Sequence, residues 1–284
     1  MALQKKNIGL LLVMPALVFT VLCFVVPIAT LLIDAFRLPV NAAGTTAGGW
    51  SVDRFVQFFA SELNQQVFWR TLRIACLVTL ASAALAYPAA QAITKVKPAY
   101  RGLVIGMMIL PLMVSPIART YAWVVLLGRT GAVNTSLLAL GLADEPQRLL
   151  FSEMAVFIGL LQLLLPLMLM SLVSALENLS PDVALAARTL GASAWQTFCK
   201  VTLPLTQEGL IVGGTLVFTG CVTAYVTPAL LGGTKVLMLE TLLYQKVSVE
   251  SDLDGANVIA VILVLMAMLA NAFLKRISSS RSRT

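Results

Sequence analysis

Six long apolar runs, at about 9–33, 71–93, 103–127, 154–176, 209–231 and 256–274, constrain this chain more than any other feature. A bilayer core about 30 Å thick needs roughly 20 mostly apolar residues in a helix, and the runs are of that length. Their apolar residues are continuous rather than alternating, so they suit helices and not the strands of a barrel. Composition agrees: 59% of the 284 residues are hydrophobic and 12% are charged, whereas a soluble domain is about 45–50% apolar and roughly 25% charged. The expected fold class is an all-α membrane protein with six transmembrane helices. The first run follows Lys5 and Lys6, as the core of a signal peptide would. Its uncharged stretch from Asn7 to Ile33 is much longer than the roughly 7–15 residues of such a core, so it reads as an uncleaved anchor.

The connecting segments set the expected orientation. Segments 1–8, 94–101, 177–208 and 275–284 hold eleven Lys and Arg residues, and the segments on the other side hold eight. Cytoplasmic loops carry the excess of Lys and Arg, so both termini are expected in the cytoplasm. Arg70 and Arg73 sit against this trend at the outer start of the second run. The net charge of +7 is then a matter of membrane topology, and lipid rather than nucleic acid is the expected surrounding.

Several chemistries lack their residues. There is no histidine, and Cys23, Cys76, Cys199 and Cys221 are scattered, so neither a metal site nor a disulfide framework is expected. The spans hold no Asp, Glu or Lys in their interiors, which disfavours a proton- or sodium-coupled carrier, because such a cycle uses a titratable or coordinating group near the midplane. No Ser or Cys has a nearby base, so no catalytic residue is expected. No G-x-x-x-x-G-K-[ST] phosphate loop occurs, so the energy for any work comes from a partner.

One ionisable residue lies inside a span. Arg119, in Ser115-Pro116-Ile117-Ala118-Arg119-Thr120-Tyr121-Ala122-Trp123, is costly at the centre of a bilayer, by about 2.5–3.5 kcal/mol on insertion scales. It either lines a pathway or bonds carbonyls freed by Pro111 and Pro116. Tyr121 and Trp123 either share that pathway or anchor the interface. Tyr225 and Thr227 either line the cavity or pack between helices.

The segment 177–208 is the most structured of the loops. Ser180 suits an N-cap, Pro181 the first helical position and Asp182 the positive end of the dipole. A short helix then runs to Leu190, and Gly191 suits the left-handed residue that closes it. Ser193-x-x-Gln196 is a capping box opening a second short helix through about Lys200. Leu203-Pro204 is expected to end that helix. The middle of the loop, Leu185-Ala186-Ala187-Arg188-Thr189-Leu190-Gly191-Ala192, is small and mildly apolar, so it suits docking into a partner's groove and packing on its own bundle alike.

These residues resemble a known family. The inner-membrane permease subunits of binding-protein-dependent ATP-binding-cassette importers carry a cytoplasmic motif: E-A-A, three residues, G, nine residues, I-x-L-P. Here the chain reads Leu185-Ala186-Ala187, three residues, Gly191, nine residues, Val201-Thr202-Leu203-Pro204, with Leu185 in place of the Glu. The resemblance covers about 66–276. Arg119-Thr120-Tyr121-Ala122-Trp123, Tyr87-Pro88-Ala89-Ala90 and Tyr225-Val226-Thr227-Pro228-Ala229-Leu230-Leu231-Gly232-Gly233 resemble the first of two permeases in spermidine/putrescine-type importers.

The resemblance implies a type I importer permease in a bacterial inner membrane. Its domains would be an N-terminal helix and periplasmic segment at 1–65, a permease domain at 66–276 and a tail at 277–284. The partners implied are an ATPase dimer that binds the ATP, a second permease subunit and a periplasmic solute-binding protein. The implied solute is a polyamine or a related small molecule. In this reading Leu185, Ala186, Ala187, Arg188, Gly191, Ala192, Leu203 and Pro204 couple to the ATPase, and Arg119, Tyr121, Trp123, Tyr225 and Thr227 belong to the translocation pathway. The alternative is a self-contained secondary carrier or channel.

Overall fold

The apolar runs do not all become straight helices, and closely spaced breakers account for the exceptions. The computed structural model describes residues 13–37 and 49–281. In chain order the described helices are α1 (Val13–Phe36), α2 (Asp53–Ala60), α3 (Glu62–Thr94), α4 (Pro98–Met113), α5 (Pro116–Leu127), α6 (Ala132–Ala139), α7 (Glu153–Glu177), α8 (Pro181–Thr189), α9 (Ala194–Leu205), α10 (Gln207–Val222), α11 (Val226–Leu231), α12 (Leu239–Ser248) and α13 (Leu253–Arg281). Four of these, α1, α3, α7 and α13, are each long and apolar enough to cross a membrane alone. Two bent pairs bring the number of spans to as many as six.

The third and fifth apolar runs are each interrupted, the third at one of these bends and the fifth after Val222. The third is not one helix: α4 stops at Met113 and the chain turns by 88° before the helix resumes at Pro116. Ser115 is extended, at φ −49° and ψ 132°, because the ring of the following proline crowds a helical conformation. The fifth run ends at Val222, and α11 restarts at Val226 with Pro228 in its first turn. There a missing N–H removes no helical bond. Pro88 and Pro166 remain inside α3 and α7.

Two further prolines are preceded by widened turns. Residues Val21–Val25 and Phe198–Thr202 are π-helical, and Pro27 and Pro204 follow each by two residues. A proline ring clashes with the carbonyl four residues back, and a wider turn relieves that clash while the chain stays helical. So Leu203-Pro204 does not end the second loop helix, as the sequence suggested. That helix continues to Leu205, and the break of 67° falls at Thr206.

The described residues form two compact units. The first joins the part before Gln66 with Leu243–Ile262. Its α1 shows almost uniformly exposed apolar side chains, with Ala35 buried, which suits a helix facing lipid. Phe36 stacks on Phe55, with ring centroids 4.9 Å apart. Arg54 ties the unit together, donating to the Asp34 carbonyl at 3.0 Å and to the Asp254 carboxylate at 2.7 Å. Asp252 caps α13, accepting from Gly255 N at 2.9 Å, and pairs with Lys246 at 3.2 Å.

The second unit, Gln66–Leu242 with the chain from Leu263 onward, is built around α7 and α10. Their close approach depends on Gly209-x-x-x-Gly213. A Cβ at Gly209 would lie 2.5 Å from that of Ala175, and one at Gly213 would lie 2.6 Å from the Met168 sulfur. Small residues four apart let helix backbones meet where lipid supplies no hydrophobic drive. Helix α11 packs on α5 and α7. Buried Asn134 holds the segment after α5, donating to Gly128 O and Gln147 O and accepting from Gln147 N.

Candidate functional site

The loop between α7 and α10 is folded into two short helices joined by a turn at Gly191. Ser180 Oγ accepts from Asp182 N, and α8 begins at Pro181. Gly191 sits at φ +88° with nothing within 4 Å of where a Cβ would be. The glycine is therefore required by backbone conformation and not by space. Ser193 and Gln196 form both halves of the capping box, at 3.2 and 3.0 Å.

This element exposes large apolar side chains. Leu190 is 88% exposed, Trp195 71% and Leu185 58%. Ala186, Arg188 and Gly191 are also exposed, whereas Ala187, Ala192, Leu203 and Pro204 are half-buried. Leu185 stands where the family motif has Glu, so the surface has an apolar contact in place of an acid. Exposed apolar side chains on a loop that also exposes Arg188, Asp182 and Lys200 suit a docking surface.

A cleft of about 1320 Å³ lies against the element, walled by Tyr87, Arg101, Glu177, Leu185, Arg188 and Trp195 among others, so two of the exposed apolar side chains also line it. Arg101 and Glu177 pair across it at 2.5 Å, tying the start of α4 to the end of α7. The Tyr87 ring meets Phe198 edge-on at 5.1 Å, and Phe198 in turn meets Trp195 at 5.6 Å. Tyr87 thus touches the bent element directly.

The expected pathway residues divide. Arg119 is half-buried on α5, and its Nε and Nη1 are buried with no hydrogen-bond partner. Tyr121 is 54% exposed on the same helix, and Trp123 is half-buried. Tyr225 is half-buried just before α11. Thr227 is 2% exposed and meets Thr120 Oγ1 at 3.1 Å. It is a packing residue between α11 and α5, and its partner Thr120 was not singled out in the sequence. Gly159 lets α11 approach α7, its other partner, since a Cβ there would collide with Leu231 and Thr227.

The start of α3 makes ionic contacts that the apolar pattern did not suggest. Arg70 reaches Glu153 at 3.0 Å and Leu237 O at 3.3 Å, and Arg73 pairs with the same carboxylate. The two arginines that run against the charge bias are thus tied to Glu153. The Gly255 N–H, with Lys246 and Arg54 nearby, holds the Asp252 carboxyl below its ordinary range despite burial. Its bond to Glu250, with Asp252 beside it, raises Lys246. Burial alone pushes the Glu240 carboxyl up.

Comparison with known proteins adds the following. The family model described as the binding-protein-dependent transport system inner membrane component matches residues 8–283. The spermidine/putrescine transport system permease protein PotB of Haemophilus influenzae is 34% identical over 256 residues, covering 89% of each chain. PotB of Escherichia coli is 37% identical over 174 residues, covering 61% of this chain and 63% of its own. A crystal structure of a bacterial alginate ABC transporter, in complex with an alginate pentasaccharide-bound periplasmic protein, has a chain of the same fold. The TM-score is 0.77 at 19% identity, over 98% of this chain and 97% of that one.

Proposed function

The chain belongs to the family of binding-protein-dependent transport system inner membrane components and is a transmembrane permease subunit of an ABC importer; from that premise we propose that it admits a polyamine of the spermidine/putrescine type. The observation that carries the solute class is the 34% identity to a spermidine/putrescine permease over 89% of both chains. The YPAA, RTYAW and YVTPALLGG stretches support the same subgroup. Membership of this family replaces the alternative of a self-contained carrier.

In this reading the chain pairs with a second permease subunit, and the two enclose one pathway. Two ATPase subunits bind the nucleotide on the cytoplasmic side, and a periplasmic binding protein delivers the solute. The termini and the 177–208 loop face the cytoplasm, as the Lys and Arg bias favours. The exposed Leu185, Leu190 and Trp195 dock in a groove of the ATPase, with Ala186, Ala187 and Arg188 beside them and Gly191, Ala192, Leu203 and Pro204 holding the shape. Closure of the ATPases on ATP then pushes on a stiff lever. ATP shifts the transporter between two states because it binds one of them more favourably. Arg119, Tyr121 and Trp123 lie toward the pathway, with Tyr225 and Thr227 supporting them.

Reconstitution tests the solute class. The complex, assembled with its binding protein in proteoliposomes, is expected to hydrolyse ATP faster with spermidine or putrescine than with thiamine or aminoethylphosphonate. Stimulation by one of the latter alone overturns the polyamine assignment.

A further inference from the structure

Tyr87 lies in α3, far from the loop in sequence, yet its hydroxyl ends on the hinge of the α9–α10 bend. Its oxygen is 2.5 Å from Thr206 Oγ1, and both residues are buried, at 6% and 0% exposure. Thr206 is the residue at which the chain turns by 67°, and it leaves helical geometry there, at φ −103° and ψ 9°. Its side chain donates to the Thr202 carbonyl at 2.8 Å, at the end of the π-helical turn. A hydroxyl has one proton to give. With that proton on the Thr202 carbonyl, the Tyr87 hydroxyl is the donor to Thr206. A single chain of bonds thus runs from α3 through the hinge into the widened turn. The ring supports it from the other side, edge-on against Phe198, which touches exposed Trp195.

We propose that the Tyr87–Thr206 hydroxyl pair is the joint through which movement of the docking loop reaches α3. Tyr87 is a positioning residue here: it acts through the hinge at Thr206. A loop held to the bundle by apolar contact alone can slide, because such contact is non-directional. A buried hydrogen bond is directional and is costly to leave unmade in a dry site. The pair therefore fixes where the lever pivots, and Pro88, the next residue, is a place where α3 can yield. This inference rests on the reading that the loop docks on the ATPase.

The test uses the full transporter reconstituted with its binding protein, and reads solute moved per ATP hydrolysed. Tyr87→Phe and Thr206→Val are each expected to lower that ratio about five-fold, the factor for one net hydrogen bond. The ATPase should still co-purify in full. The double variant should be no worse than either single one, because both remove the same bond. Thr206→Ser keeps the hydroxyl and should stay close to the parent, which separates loss of the bond from loss of fold. An unchanged ratio in Tyr87→Phe, multiplying effects in the double variant, or loss of the ATPase from Tyr87→Phe complexes each overturns the joint. Failure of the docking reading shows separately: Trp195→Glu would then leave ATPase co-purification intact.

Discussion

At the scale of single residues, charge placement separates structure from transport. Arg119 keeps two buried nitrogens without a partner, inside a segment where an arginine costs about 2.5–3.5 kcal/mol to insert. The head group of Arg119 makes no hydrogen bond through these nitrogens within the described residues, so Arg119→Ala is expected to leave membrane yield intact. Uptake per assembled transporter should fall about ten-fold, roughly 1.4 kcal/mol in the transport barrier. Normal uptake would make the guanidinium a structural group. Asp252 offers a second residue-scale test. Its carboxyl is lower in the fold than in an unfolded chain, so its stabilisation is present above the ordinary carboxylate pKa of about 3.9 and is lost as pH falls through the lower folded value. Lys246 is raised, so its stabilisation is present below about 10.4 and is lost as pH rises through the higher folded value. Asp252→Asn should therefore melt below the parent at neutral pH, and the gap should close as the acid limb is crossed. A gap that is constant down to about pH 2 would detach the effect from titration.

At the scale of elements, the sequence was most legible where a local rule governs. Ser180, Gly191 and the Ser193–Gln196 box adopt the caps their identities imply, because a cap is decided within a few residues. The bends were less legible. A proline interrupts a helix only when its surroundings do not repair the ladder, so Pro88 and Pro166 stay inside helices while Ser115-Pro116 breaks one. Hydropathy alone does not distinguish these cases. Thr120, Thr206 and the Gly209-x-x-x-Gly213 seam depend on partners distant in sequence, although the small-residue spacing of the seam was itself a readable sign. Two substitutions test these elements. Gly191→Val places a β-branched residue at positive φ, a strain of about 1–3 kcal/mol, and should reduce solute-stimulated ATPase activity with the protein still in the membrane. Gly213→Val drives a methyl into Met168 and should destabilise the second unit by about 1–3 kcal/mol, read as a lower melting temperature in detergent. A Gly213→Val protein that melts like the parent would show that α7 and α10 can part without loss.

At the scale of the whole molecule, the charge pattern and the proposed mechanics make the same demand. The docking proposed for the loop is useful only on the side where ATP is found, and the Lys and Arg bias favours the cytoplasmic side for 177–208. The exposed tip of that loop and the exposed segment after α6 must then lie on opposite faces of the bilayer. Leu190 is 88% exposed and Leu142 is 70% exposed, so each accepts a reporter without disturbing a packed neighbour. In a background with Cys23, Cys76, Cys199 and Cys221 replaced, Leu142→Cys is expected to react with an impermeant thiol reagent in intact cells. Leu190→Cys should react only after the membrane is opened, and bound ATPase should protect it further. The reverse pattern would place the bent loop outside, where no nucleotide-driven partner can push on it. In that case the resemblance of the 185–204 motif to a coupling element would be a matter of shape alone.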